Sequence, residues 1–577
     1  MATSRIPNQG RIRQLNVDDT SGEIWATKNI DLRTNPSKIK LARPMKQVMD
    51  NTALDDDPVE AIELYGDSAF ALTNTNLYQS NLTSLNDLET WVNATTSPNN
   101  AEDLNVFRGQ LIVVDNTSAD AWDGSTYTTN WWTDRGNPLL DSSFRHISEV
   151  VKIGAETIAI TDGSQVHGYT GLIGSDTGKV NVTLDLPAGA IATCLKVGIR
   201  RVFIGTSTES TGEAFVYDWD GASTNYTQSF PSGAQAVLAM EMIDNAPMII
   251  TERGEIKLFN NAGFTKVAQL PFSDKFVYDT NISAGNVATG INSPVHPKGM
   301  KRSGDNVYIN VNFQTDLGAD GTAYTLDERS PNGLWVLNLK TYSLSHLCSP
   351  DNEIGFKQVS PIQILQNFNS RILMATRQSD NEFSLWAEQE DPTVANEGYL
   401  ITPQINSNTV KDVYKEIVAQ AFMDTGDTLE VKYRNESVPN YPLTNIDGAW
   451  AKTNQFNTTD DLSEVYSRFV SGERDEMEVL IGSGAGKSVQ IVSIEQGTST
   501  YSVTVDQECG IIGETSIIRI DNWKKIDKTM TIDDKEIARF GTGGTGSWGQ
   551  FKLIIKGKKG LPEIRQILIK TNAKEEL

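Results

Sequence analysis

The chain has 577 residues, 38% of them hydrophobic and 21% charged, enough for two or three domains with sizeable cores. No apolar run approaches the roughly 20 residues of a membrane helix, and the opening MATSRIPNQGRIRQ has no apolar stretch of the secretory kind, so no cleaved leader is expected. The formal charge of −24 argues against a body that holds nucleic acid by neutralising phosphate.

The first fifty residues depart from that balance, with nine Lys/Arg against five Asp/Glu, and residues 1–54 are expected to form an extended arm that helps close the next domain. From about residue 55 a phrase recurs: a strand, a tight turn, a second apolar strand, another turn, and a third strand ending in an aromatic. It reads EAIELYGDSAFALTNTNLYQ, DLNVFRGQLIVVDN, SEVVKIGAETIAITDGSQVHGY, TCLKVGIRRVFIGT, VLAMEMIDNAPMIITERGEIKLF, GMKRSGDNVYINV and IQILQNFNSRILMATR. Gly66, Gly109, Gly154 and Gly198 mark the turns, separated by 43, 45 and 44 residues; later units stretch and place Asn245, Gly304 and Asn367 or Asn369 there. A period near 44 residues with strands at that spacing predicts a seven-bladed β-propeller over 55–400. VYDWDGASTNYTQ, LFNNAGFTKVAQ and WVLNLKTYSLSHL read as weaker, outer fourth strands. The turns Trp122-Asp123-Gly124 and Trp219-Asp220-Gly221 read as turn chemistry. A chain of 100-residue sandwich domains is the competing all-β reading.

Beyond residue 400 the phrase stops and strands lengthen. Phe551, Leu553 and Ile555 alternate with Gln550, Lys552 and Ile554. Residues 401–475 and 525–577 therefore read as a jelly-roll-like β-sandwich, with a small β-barrel of about four strands inserted at 476–524. The fold class is all-β: propeller, sandwich, inserted barrel.

Chemistry is sparse. His146, His167, His296 and His346 lack the i, i+4 spacing of a zinc site, and Cys194, Cys348 and Cys509 form no C-x-x-C pair or disulfide framework. The loop TDLGADGTAYTLDER carries Asp316, Asp320, Asp327 and Glu328, oxygen-rich but without the D-x-D-x-D-G spacing of a calcium loop. SADAWDG has Trp122 where a sialidase-type turn needs glycine. Trp131-Trp132 could stack on a sugar if exposed, although inter-blade packing is the expected use. LIGSGAGKS places Ile481 where a phosphate-binding loop needs its first glycine, and alternating residues, not a helix, follow Lys487. No catalytic, cofactor-binding or metal residue is assigned, and no cofactor is expected.

EVLIGSGAGKSVQIVSIEQGTSTYSVTVDQECGIIGETSIIRIDNWKKI, the closing WGQFKLIIKGKKGLPEIRQILIKTN and the lead-in IDLRTNPSKIKLARP resemble segments of structural proteins of tailed-bacteriophage virions. The resemblance covers about a fifth of the chain. It implies a non-enzymatic tail protein, a nozzle or head–tail junction ring along the DNA-ejection conduit. Its implied partners are copies of itself and other tail or neck proteins, with viral DNA passing unbound. The implied location is the virion tail, after synthesis in the host bacterial cytoplasm. A glycan-binding or glycan-cleaving propeller is the alternative. Because the glycine spacing is one short, Lys487→Ala should leave assembly intact, and titration calorimetry with ATP should give a flat trace for both proteins; micromolar affinity lost in the variant would overturn the reading.

Overall fold

A computed structural model describes residues 2–5, 26–31, 33, 39–81, 90–153, 155–172, 175–208, 212–260, 262–270, 295–311, 333–348, 362–365, 371–379, 382–389, 396–402, 405–406, 412–434, 441–443, 446–447, 454–470, 475–481, 488–506, 517–521, 524–530, 537–546, 548–558 and 562–572. Among them nearly all regular structure is β. The chain separates into two compact units, Lys46–Asp316 with Phe356–Glu388, and Met1–Met45 with Leu317–Gly355 and Gln389–Leu577.

In the first unit, four-stranded antiparallel sheets follow one another along the chain, each strand paired to the next in sequence. Their first strands are Val59–Tyr65, Ala101–Phe107, Ser148–Ile153, Ala190–Gly198 and Val237–Ile243. A further four-stranded sheet begins at Met300–Ser303, and then another at Ile362–Leu365. Each first strand lies beside the next, and Ile362–Leu365 lies beside Val59–Tyr65, so the succession returns to its start. This is a propeller-like arrangement. The last sheet takes its outer strand, Met45–Met49, from ahead of the first. Gln47 donates to Ser384 Oγ at 2.8 Å, and Asn51 Oδ1 accepts from Phe383 N at 2.9 Å, which ties that strand and the turn after it to the sheet.

The recurring phrase is the hairpin of strands one and two, but its glycines are not equivalent. Gly66 is the first turn residue between Tyr65 and Ser68, whereas Gly109 is the second between Phe107 and Gln110. Both have positive φ, where glycine has no steric cost. Gly198 is the last paired strand residue, opposite Arg201, and Arg200 takes the positive φ instead. Gly154, Asn367 and Asn369 lie outside the described residues. The hairpin recurs, then, with its left-handed residue free to move one place.

Sheet pairs bury the core. Phe70 and Leu72 of the first sheet pack with Leu111, Val113 and Trp122 of the second. Ala159 and Leu184 of the third pack with Leu195, Ile204 and Trp219 of the fourth. Gly168 has no room for a Cβ because Trp219 Cη2 and Gly221 O would each stand 2.9 Å from it. Trp131 and Trp132, candidates for sugar stacking if exposed, are 3% and 0% exposed; Trp132 Nε1 donates to Pro138 O at 2.9 Å. Outer strands such as Val92–Thr95 and Gln228–Pro231 are largely exposed, as their weak pattern suggests.

The second unit contains two six-stranded antiparallel sheets. One orders Ile30–Asp31, Ile39–Leu41, Glu563–Asn572, Asp412–Phe422 and Ile537–Gly546, with Ala2–Arg5 also on Glu563–Asn572; the other orders Ala26–Lys28, Asn396–Ile401, Trp548–Gly557, Thr428–Arg434 and Lys524–Met530, with Ile405–Asn406 also on Trp548–Gly557. The expected alternation along Trp548–Gly557 does not sort inside from outside: Gln550 and Lys552 are buried with Phe551 and Leu553. Gln550 Nε2 donates to Thr402 O, and Lys552 Nζ sits 4.4 Å from the Tyr399 ring centroid. Leu344–Cys348 is the fourth and last strand of its sheet, as expected, but it is buried, and His346 N donates to Thr27 Oγ1.

Where four strands were expected at 476–524, the described residues form a sheet of seven strands that begins at Tyr441–Leu443. Val465 of a helix, Ser463–Val470, and Leu462 just ahead of it pack against Met477, Val489, Ile491 and Val503. Glu476–Ile481 and Ser488–Gln496 pair on either side of the glycine-rich stretch; residues 482–487 themselves lie outside the described residues, as do Cys509 and the candidate calcium ligands Asp316, Asp320, Asp327 and Glu328. Removing the inter-sheet indole tests the first unit directly. Trp219→Ala should cost about 3–5 kcal/mol, read as a lower urea midpoint; an unchanged midpoint would mean the indole is not packed between sheets.

Candidate functional site: the ring of first-strand polar residues

A strand with a neighbour on one side only has an edge of unpaired N–H and C=O groups. Each first strand in the first unit carries one polar side chain at a matching place: Glu63, Asn105, Glu149, Lys196, Glu241, Lys301 and Gln363. All but one stand two residues before the strand's end; Glu149 stands four before, which keeps it on the same face of the pleat. Three of them satisfy their own strand's edge. Glu63 Oε1 accepts from Leu64 N, Asn105 Oδ1 from Val106 N and Glu241 Oε1 from Met242 N, each at 2.9 Å.

The same side chains join neighbouring strands. Asn105 Nδ2 donates to Ser148 O at 3.0 Å, and Gln363 Nε2 donates to Glu63 Oε1 at 3.2 Å. Lys196 Nζ lies 3.1 Å from Glu241 and 3.7 Å from Glu149. Burial works against the Lys196 ammonium, but Glu241, Glu149 and Glu63 outweigh it and hold it well above the usual lysine range. Lys301 goes the other way: burial, with Lys196 nearby, pushes it below that range despite the same glutamates. Three carboxylates and two ammonium groups thus nearly cancel.

A second layer lies at the beginnings of these strands. Lys298 reaches from ahead of Met300–Ser303 to Asp103 Oδ1 at 2.7 Å and Leu104 O at 3.0 Å on another first strand. Asp103 Oδ2 also accepts from Ser148 N and Oγ. Arg145 bonds Glu60 at 2.8 Å and faces His296 Nε2. Burial raises the Glu102 carboxyl, whose Oε2 accepts from His146 N. Burial, Arg145 and Lys298 together hold His296 well below the ordinary histidine range.

His167 stands in a different setting. Its Nδ1 is 2.9 Å from Thr183 Oγ1 and its Nε2 is 3.1 Å from Asp162 Oδ2, the connectivity of nucleophile, base and orienting acid. Asp162 Oδ1 is taken by Asp141 N, and the ring is 4% exposed. The three residues lie on three paired strands of one sheet, so the network fixes their register. Against the pull of burial, the bonds from His167 and Asp141 N hold Asp162 below the usual carboxylate range. His146 likewise serves packing, with Nδ1 2.8 Å from Thr161 O. Cys194 is buried and its thiol is pushed up to about 12, a setting that suppresses thiolate chemistry. Asp123 and Asp220 each accept two backbone N–H bonds in their turns, consistent with turn chemistry. Among the described residues no group of three or more His, Cys, Asp or Glu is placed to hold a metal ion.

Sequence reasoning singled out none of the ring, because one polar residue in an apolar strand reads as its solvent face. The missed signal was the register: a charged or amide residue three places ahead of nearly every hairpin turn.

No protein-family model matches the chain, and no curated protein matches it. Among solved structures, the Neurospora crassa Pan2 WD40 domain is similar over 60% of this chain and 97% of that one, at 10% identity and a TM-score of 0.38. The AfRom2 CNH domain is similar over 60% and 99%, at 10% identity and 0.35. The Dos1 propeller is similar over 60% and 95%, at 8% identity and 0.35.

Lys196→Met should be strongly destabilising, by about 3–5 kcal/mol, because it leaves buried carboxylates uncompensated. Adding Glu149→Gln and Glu241→Gln should recover part of the loss in denaturant melts. Since the folded lysine is raised, its contribution is complete below about pH 10.4 and fades only as pH climbs through the higher folded value. A Lys196→Met midpoint equal to wild type at pH 7 would refute the role.

Proposed function

We propose that this chain is a non-enzymatic structural component of a bacteriophage tail, a nozzle or head–tail junction ring that forms part of the DNA-ejection conduit. The observation that carries the reading is the consumption of these first-strand polar groups. Glu63, Glu149 and Glu241, the carboxylates best placed to act on a ligand in a propeller channel, are tied to backbone N–H groups, Gln363 or Lys196. They serve rigidity, and the surfaces outside are left for contact with other subunits.

The return of the first strands to their start supports a seven-bladed propeller, with Met45–Met49 closing the last blade. The two six-stranded sheets of the second unit support a jelly-roll-like sandwich, and the seven-stranded sheet takes the place of the inserted barrel. That content agrees with the virion proteins the sequence resembles. A ring built from copies of one chain needs heterologous contacts that close by rotation. The charge of −24 suits a wall past which DNA slides, since like charge repels phosphate where basic residues would bind it. Other tail or neck proteins complete the partners; the protein is made in the host cytoplasm and resides in the virion tail. Among the described residues no helix is long and apolar enough to cross a membrane.

Electron cryomicroscopy of intact virions tests the proposal. The chain should be found as a ring around the tail axis with carboxylates concentrated on the axis-facing surface. Its absence from the particle, its presence only in peripheral fibres, or a basic axis-facing surface would overturn it.

A further inference from the structure

The imidazole of His296 has fewer lone pairs than its surroundings demand. Nδ1 accepts from Lys298 N at 3.0 Å, and Nε2 faces the Arg145 guanidinium, which can only donate. A neutral imidazole has one lone pair for these two donors, and an imidazolium has none. The nearby carboxylates offer no relief, because each is engaged elsewhere. From Val59–Tyr65, Glu60 holds Arg145. From Ala101–Phe107, Asp103 holds Lys298 and Ser148, while Glu102 accepts from His146 N. From the approach to Ser148–Ile153 come Arg145 and His146 themselves, and His296's own segment adds Lys298. His296 is 3% exposed, so water does not supply the missing acceptor.

We propose that His296 is a proton-operated latch: the neutral ring seats residues 295–299 against Arg145 and the strand Ala101–Phe107, and protonation unseats them. Once an imidazolium forms, the Lys298 N–H bond is lost and a cation faces Arg145. Lys298 then loses the backbone anchor that aims its ammonium at Asp103, so the layer at the strand beginnings loosens together. The released histidine takes up a proton near its ordinary value of about 6.5 and the seated one resists it. The seated state is therefore favoured above that pH and loses ground as pH falls below it. One proton per latch limits the change to about tenfold in the opening equilibrium per pH unit. The latch does not depend on the assembly reading.

Hydrogen exchange followed by mass spectrometry, corrected for the intrinsic pH dependence of amide exchange, tests it on the full chain between pH 7.5 and 5. Peptides covering 295–303 and 101–107 should lose protection below about pH 6.5, approaching tenfold per unit, while peptides of the sheet around His167 stay unchanged. His296→Gln, which cannot titrate, should flatten the response. Arg145→Met removes one of the two facing donors, so the step should shrink, which keeps the proposal testable if the glutamine variant does not fold. Protection independent of pH in the wild type, or an undiminished step in either folded variant, would overturn it.

Discussion

The first strand of each sheet pairs within its sheet on one side only, which leaves one edge to be satisfied by other means, and the first unit depends on how those edges are met. Leaving a buried backbone N–H without a partner costs about 1–3 kcal/mol, whereas a made hydrogen bond returns only about 1. The penalty is thus the stronger constraint on which residues can stand there. Glu63, Asn105 and Glu241 meet it by folding back onto the next residue's N–H. Once those side chains are fixed, their remaining atoms are in position for the neighbouring strand, and Lys196 and Gln363 complete the links. Edge satisfaction and the joining of sheets are one set of interactions.

The same economy bears on what the interior titratable groups can do. A general acid or base needs a titrating group with a free face toward a substrate. Glu63 Oε1 and both oxygens of Glu241 are committed to backbone N–H groups, Gln363 or Lys196, and the raised Lys196 remains charged across the working pH range of most proteins. His167 has the partners of a catalytic histidine, yet they belong to adjacent strands of a single sheet and leave the ring buried.

Both units draw on distant parts of the chain. Met45–Met49 joins a sheet whose other strands lie at 362–388, and Ala26–Lys28 pairs with Asn396–Ile401. Pairings of such separation carry a loop-closure cost before any contact rewards it, so folding should be slow and late-closing. Gly398 marks how tightly one of these joins fits: a Cβ there would stand 2.7 Å from Asn29 O and 2.8 Å from Lys28 O.

The sequence by itself determined what depends on neighbours in the chain. Apolar strands broken by tight turns specify the repeating hairpins, because hairpin pairing is local, and Asp123 and Asp220 specify their own turns. The helix at Ser463–Val470 is missed by a reading of 401–475 as strands throughout, which does not weigh the helical spacing of Leu462, Val465, Tyr466 and Phe469. Tertiary structure alone decided which polar residues are interior. Gln550 and Lys552 alternate with apolar residues as if facing water, yet both faces of their strand are covered. Glu63, Lys196 and Lys301 lie far apart in sequence and acquire partners only when the first strands come together. The partnership of His296 with Arg145, Lys298 and Asp103 has the same origin, for a charge shows its partner only when the fold brings the two within a few ångströms.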